Sequence, residues 1–427
     1  MNPPGRSNGS GANRPLRVAY VMSRFPKLSE TFVLRELLAV EALGVQVDVY
    51  PLVREREALV HPEAEAVVRR ARYLPFLSPA IARSNLRTLR ERPRAWLGAL
   101  WAVVRGNWGS ANHLAGGLGI FPKVVHAARL MEADGVDHVH CHFATHPALA
   151  GYLVHRLTGI PFSFTAHGSD IHVDRTMLGR KTAAAAFDVP ISEFNRRVIE
   201  GECGAGVRTP LEVVHCGVDT TVFAPRAARA GGPFSVVSVG TLHEVKGQRH
   251  LVEACRLLAG SGVDVACHLV GSGPDEGDLR RQVVAAGLEG RVHFEGGRTT
   301  EEVAALLQRS DVLVAPSVPT AQGKREGIPV VLMEGMSSGV PVVASDLSGI
   351  PELVEDGRTG LLVPPGDPDA LAAALRRLAD DPGLAAALAR GGRERVLAEF
   401  DVARSARRLV ELFAGGAPVP DGAAAAH

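Results

Sequence analysis

Cysteine is scarce in this 427-residue chain, and its five copies, Cys141, Cys203, Cys216, Cys255 and Cys267, form no CxxC pair and no framework spacing. That excludes a disulfide scaffold and suits a reducing compartment. Long apolar runs are lacking as well. AWLGALWAVV (95–104) comes nearest to a membrane span, yet it reaches only about half of the ~18 residues a span needs. Residues 1–15, MNPPGRSNGSGANRP, contain no apolar core of a secretory signal, so the expectation is a cytoplasmic protein opening on a disordered leader. Net charge is almost absent too: 47 basic side chains against 46 acidic ones give +1, and no global field draws the chain toward nucleic acid. Several catalytic signatures are missing. There is no GxxxxGK[ST] phosphate loop and no GxSxG elbow, and VGSGPDEG (270–277) spaces its glycines as GxGxxxG with Pro274 inside, which is not the dinucleotide fingerprint.

What is present is the material of a globular α/β protein: 46% hydrophobic and 22% charged residues, enough for sizeable cores. Short β-branched runs alternate with longer amphipathic segments, the pattern of parallel sheets covered by helices. A first set of strand candidates comprises RVAYVMS (17–23), VQVDVYPL (45–52), DHVHCHF (137–143), PFSFTA (161–166), FDVPIS (187–192) and LEVVHC (211–216). A second comprises FSVVSVG (234–240), VDVACHLVG (263–271), VHFEG (292–296), DVLVAPS (311–317), VPVVAS (340–345) and TGLLV (359–363). Between them, PRAARAGGP (225–233) has the composition of a linker. The expected organisation is a first domain at 16–228, a second at 229–398, a helix at 399–414 packing back on the first, and a small polar tail at 415–427. Ligands of doubly wound sheets bind beyond the carboxyl ends of the strands, which points to the cleft where two such sheets face each other.

Three strand-end segments carry candidate chemistry. In EGIPVVLME (326–334), Pro329 suits the first turn of a helix, and the N–H groups of Gly327 and Ile328 fall at its positive end. Glu326 precedes that helix and Glu334 lies about 1.4 turns into it. One unit thus presents two acids, two solvated surface glutamates being the bland alternative. TAHGSDI (165–171) places His167 and Gly168 in a turn beyond a strand, where a histidine can donate to an oxygen that gains charge. VGTLHEVKG (239–247) puts Lys246 at a helix start, a compact cation for phosphate. His138, His140 and His142 alternate along one strand face. No carboxylate or thiolate stands at a ligand spacing from them, so no metal is expected.

In order along the chain, FPKLSETF (25–32), HCHF (140–143), HGSD (167–170), HCGVDTTVFAP (215–225), VGTLHEVKG, VGSGP (270–274), SDVLVAPS (310–317), EGIPVVLMEGM (326–336) and SGVPVVAS (338–345) resemble the retaining GT-B glycosyltransferases of family 4. FPKLSETF and REGIPVVLMEGM look most like transferases of bacterial exopolysaccharide assembly, the colanic-acid type among them. The resemblance covers about 17–413 and implies two doubly wound Rossmann-like domains facing an interdomain cleft. It further implies a nucleotide-sugar donor, UDP- or GDP-linked, held by the second domain, and a saccharide or lipid-linked glycan acceptor held by the first. No metal or other cofactor is implied. Carried over by position, Lys246 binds the donor diphosphate, Glu334 the ribose and Glu326 the transferred sugar, while His167 faces the anomeric carbon. Gly327, Ile328 and Thr241 contact the donor, and Lys27, Ser29 and Glu30 line the phosphate and acceptor side. One departure stands out: the family's GRL reads Gly240-Thr241-Leu242 here, an arginine short, with Arg325, His243 and Arg249 as candidate replacements. A sugar-nucleotide epimerase and a non-catalytic sugar-nucleotide binder are the competing classes on such an architecture, and HGSD with EGIPVVLME favours transfer.

The near-zero total hides an uneven distribution. Residues 66–110 hold nine arginines against the single acid Glu91, together with all three tryptophans, Trp96, Trp101 and Trp108. Either this is a basic helical stretch whose tryptophans pack the domain, or it faces an anionic bilayer surface on which a lipid-linked acceptor would be met.

Overall fold

The computed structural model describes residues 14–27, 30–55, 62–204, 207–225 and 231–416. Two wholly parallel sheets organise them. The first contains β1 (Arg17–Phe25), β2 (Gln46–Arg54), β3 (His138–His142), β4 (Phe162–Ala166) and β5 (Phe187–Pro190) in the order β2-β1-β3-β4-β5. The second contains β6 (Phe234–Val239), β7 (Val265–Val270), β8 (Val292–Gly296), β9 (Val312–Ala315), β10 (Val342–Ser345) and β11 (Leu361–Val363) in the order β11-β10-β9-β6-β7-β8. Strand order reverses beside β1 in one sheet and between β6 and β9 in the other, and such reversals open a crevice at the strand ends. The loops after β4 and β6 therefore emerge toward one cleft.

Strands covered by helices on either side of a parallel sheet are buried on both faces: β3, β4, β9 and β10 are buried along their whole length, β3 although it reads HVHCH. Two expectations need correction. LEVVHC forms no strand; the Glu212 and Val214 N–H groups donate to the Asp188 and Pro190 carbonyls of β5, but only Leu211 pairs as a bridge. The segment then leaves the sheet edge because Cys216, Val218 and Phe223 bury themselves in the core of the second sheet. Pro329 is the residue before the helix Val330–Ser337 and not part of its first turn, its ψ of 121° being extended.

Near the C-terminus, Asp367 and Asp381 cap the helices Pro368–Asp380 and Pro382–Glu399, each with proline at the start. The chain then crosses back. Val218 N–H donates to the Phe400 carbonyl and Val402 N–H to the Val218 carbonyl. Ala406, Leu409, Val410 and Phe413 of the helix Val402–Phe413 share a core with Val18, Tyr20, Val33 and Leu37 of the first sheet's layer. Residues 1–13 and 417–427, which hold most of the expected leader and tail, lie outside the described residues, as do 226–230 of the linker.

Candidate active site

The segment after β6 turns through a short helical turn, Glu244–Lys246, before the helix Gln248–Gly260. This brings Lys246 against the loop ahead of Val330–Ser337, where its Nζ lies 2.6 Å from Glu326 Oε2. Two residues assigned separate parts of a donor are thus an ion pair. The loop after β4 meets the same place. Gly168 has φ 150°, and a Cβ on it would lie 3.3 Å from the Gly327 nitrogen, while a Cβ on Gly327 would lie 2.5 Å from the His167 carbonyl oxygen. Two glycines therefore let the backbones of the two domains touch. Asp170 fixes the first of these loops, accepting from the N–H groups of Ala144 (2.8 Å), His167 (3.1 Å) and Gly168 (2.6 Å).

Glu334 sits deeper, and burial pushes its carboxyl above the usual range against the pull of Arg35. Arg35, itself 8% exposed, comes from the helix Thr31–Ala42 of the first domain. Its guanidinium lies 3.3 Å from Glu334 Oε1, donates to Thr300 Oγ1 at 3.1 Å, and stands over the Phe223 ring. A lone buried glutamate would resist ionisation; the arginine opposes that.

His167 is walled in by Phe32 and Phe143, whose ring centroids lie 4.8 and 4.6 Å from its own. Burial, with His142 second, pushes its pKa well below the ordinary value, so the imidazole is neutral. Its Nε2 lies 3.2 Å from His142 Nδ1 and its Nδ1 3.7 Å from Cys216 Sγ.

Between the domains these groups line one cavity of about 450 Å³. His167, Thr241, Lys246, Arg325, Glu326, Gly327, Ile328, Glu334 and Glu30 all reach it. Lys27 stands outside the lining and reaches the cavity only through its 2.5 Å ion pair with Glu30; Ser29 lies outside the described residues. Of the candidate replacements for the missing arginine, Arg325 and His243 line the cavity and Arg249 does not. Sequence reasoning missed Arg35 and gave no separate role to Arg298, which also lines it. A first-domain arginine carries no local signal that its partner lies 299 residues away.

The arginine-rich stretch divides. Arg69, Arg70, Arg72, Arg87 and Arg92 pair with carboxylates, most of them from outside the stretch. The local excess is therefore smaller than the sequence count. Trp96 packs, donating from Nε1 to Asn85 Oδ1 at 3.1 Å and meeting Phe121 edge to face. Trp101 and Trp108 are 61% and 76% exposed. On the helix Pro93–Gly106, the exposed residues Arg94, Leu97, Trp101 and Arg105 follow at steps of three and four and so form one stripe.

Residues 233–381 match the family described as glycosyl transferases group 1, and residues 102–222 match glycosyltransferase family 4. Over 418 residues, 93% of this chain and 99% of the relative, the sequence is 31% identical to the Salmonella typhimurium (strain LT2) protein named for colanic acid biosynthesis glycosyltransferase WcaL. The chain belongs to this glycosyltransferase family. The glycosyltransferase is also 32% identical, over 67% of its own length and 78% of the relative's, to the GDP-mannose-dependent alpha-(1-6)-phosphatidylinositol monomannoside mannosyltransferase of Mycolicibacterium smegmatis. Its architecture superposes on Anabaena Alr3699/HepE in complex with UDP with a TM-score of 0.71 at 17% identity, covering 94% of this chain and 100% of the other. At that identity the likeness establishes the GT-B fold.

Proposed function

We propose that this glycosyltransferase moves a hexosyl group from a UDP- or GDP-linked sugar to a saccharide or lipid-linked glycan, with retention of anomeric configuration and without a metal. The observation that carries this reading is the Lys246–Glu326 pair, whose glutamate stands in the loop that leads through Gly327 and Ile328 into the helix Val330–Ser337. A bound donor divides the pair: the diphosphate takes Lys246, and a sugar hydroxyl takes Glu326. The loop N–H groups of Gly327 and Ile328 and the Arg325 side chain then stabilise the leaving diphosphate, the work a metal would otherwise do. The relatives support both nucleotides, HepE being bound to UDP and the mycobacterial relative named for GDP-mannose.

Every acid lining the cavity is matched to a cation: Glu30 to Lys27, Glu326 to Lys246 and Glu334 to Arg35. With a donor bound, Glu326 is taken up by a sugar hydroxyl and Glu30 and Glu334 keep their cations, so no acid is left as a nucleophile for double displacement, which favours front-face transfer in which the leaving phosphate helps deprotonate the acceptor. The Arg94, Leu97, Trp101, Arg105 stripe, with exposed Trp108 in the turn beyond the helix end, has the make-up of an interfacial helix and supports contact with an anionic bilayer carrying the acceptor. Among the described residues no helix is long and apolar enough to cross a membrane. Acceptor-dependent release of nucleotide from a panel of UDP- and GDP-sugars tests transfer: release only with acceptor supports it, whereas a rearranged sugar without acceptor would support an epimerase. Should Arg325→Ala leave donor affinity unaltered, that residue is not the replacement for the missing arginine.

A further inference from the structure

Behind His167 lies a line of polar side chains that the transfer reaction does not use directly. Glu36, on the helix Thr31–Ala42, accepts from the Tyr20 hydroxyl at 3.1 Å, and its Oε1 stands 3.2 Å from His142 Nε2. His142 Nδ1 stands 3.2 Å from His167 Nε2, the two rings stacking at 25°, and His167 Nδ1 faces Cys216 Sγ. His142 is fully buried and its Nε2 lacks an aligned hydrogen-bond partner. A buried N–H left unmade costs about 1–3 kcal/mol, so the carboxylate oxygen 3.2 Å away is the group for it to turn to.

A carboxylate accepts only. A neutral His142 donating to it carries its proton on Nε2, which leaves Nδ1 as an acceptor. His167 must then donate from Nε2, and its own Nδ1 is bare. Cys216, whose thiol burial keeps protonated, is a donor at that end. Each link then has one donor and one acceptor.

We propose that Glu36 and His142 are positioning residues for His167: they hold it in the tautomer with the proton on Nε2, so that Nδ1 keeps an acceptor lone pair, met by the long 3.7 Å Cys216 thiol contact until a hydroxyl of the bound sugar displaces it. This revises the sequence-based expectation that His167 donates, and it rests on the assignment of the cavity to a nucleotide sugar. Glu36, His140 and His142 also bring one donor atom each within 4.8 Å of one another, as a metal site would. His140, however, has both nitrogens engaged, Nδ1 by Ser163 Oγ at 2.8 Å and Nε2 by Thr165 Oγ1 at 2.9 Å, so a metal would have to displace an existing bond.

The test is nitrogen NMR of the full chain with ring-labelled histidine, the His167 signals identified by their loss in His167→Gln. A protonated Nε2 and a bare Nδ1 are expected in the wild type and in Glu36→Gln, whose amide oxygen still accepts. In Glu36→Leu the tautomers should mix. The kcat for a UDP- or GDP-sugar should fall roughly tenfold to a hundredfold in that variant, with affinity for the free nucleotide unchanged. A proton on Nδ1 in the wild type, an unaltered pattern in folded Glu36→Leu, or stoichiometric zinc in the purified protein overturns the proposal. If the tautomer pattern holds but the wild type transfers no sugar, the assignment of the cavity fails and the relay stands.

Discussion

The two sheets share one architecture and treat charge in opposite ways. The first buries titratable groups inside its layers: His138, His140, His142, Asp170, Lys181 and Asp188 are all nearly inaccessible. The second buries few charged groups, its inaccessible polar side chains among the described residues being hydroxyls, Gln248 and Glu334, and places Lys246 and Glu326 at the strand-end rim. Histidines whose pKa burial depresses follow the same split, six in the first domain (His126, His138, His140, His146, His167 and His172) and His250 in the second. On the proposed function the second domain would supply partly buried rim charge to bind and divide a donor, while the first would supply a desolvated wall that sets the state of His167.

The strongest way to break this contrast is at the one acid of the second domain that behaves like the first. Glu334→Ala leaves Arg35 buried without its partner, and denaturant unfolding should show a loss of about 3–5 kcal/mol, with donor affinity reduced in addition. A loss below about 1 kcal/mol would mean that the pair is solvated. Next comes the rim: Glu326→Ala should lower kcat by roughly a hundredfold, shifting donor affinity far less, as steady-state kinetics will show. Unchanged turnover would remove Glu326 from the site.

Acid should act mainly on the first domain, which holds six of these seven histidines. His138 is pushed down to about 3 by burial, so below its unfolded value near 6.5 the unfolded chain takes a proton that the native one refuses, and stability falls with pH. Between pH 6.5 and pH 5 this costs about 2 kcal/mol for His138. Hydrogen exchange should therefore show β3 and β4 losing protection at pH 5 before β6 and β9; simultaneous loss would contradict the split. The smallest effect belongs to the surface stripe. Neutralising Arg94 or Arg105 should weaken sedimentation with anionic liposomes about fivefold each at low salt, on a scale of about 1 kcal/mol per charge, and absence of wild-type binding would discard the bilayer contact.

Legibility in the sequence follows the same divide. EGIPVVLME, VGTLHEVKG and HGSD could be placed at strand ends because glycine and proline punctuate local turns, and nine of the named site residues meet at one cavity. Arg35 and Glu36 could not be read. Their partners, Glu334 and His142, are brought in by tertiary packing, and a helix with charged residues looks solvated until the second layer is known. LEVVHC has the β-branched composition of a strand, but Cys216, Val218 and Phe223 are drawn into the core of the second sheet, a tertiary demand that the local pattern does not carry. The arginine count overstated the basic surface because Glu41, Asp48, Glu132 and Asp134 lie outside the window that was counted.

On the proposed function, the second domain's strand-end loops hold the diphosphate of a nucleotide sugar against Lys246. Thermal unfolding with UDP-glucose and GDP-mannose, in the wild type and in Lys246→Ala, tests it most directly. A ligand at 100 times its Kd adds about 2.7 kcal/mol, so one of the two donors should raise the wild-type Tm by several degrees and leave Lys246→Ala almost unmoved. Equal shifts in both proteins, or no shift with either donor at millimolar concentration, would contradict the account.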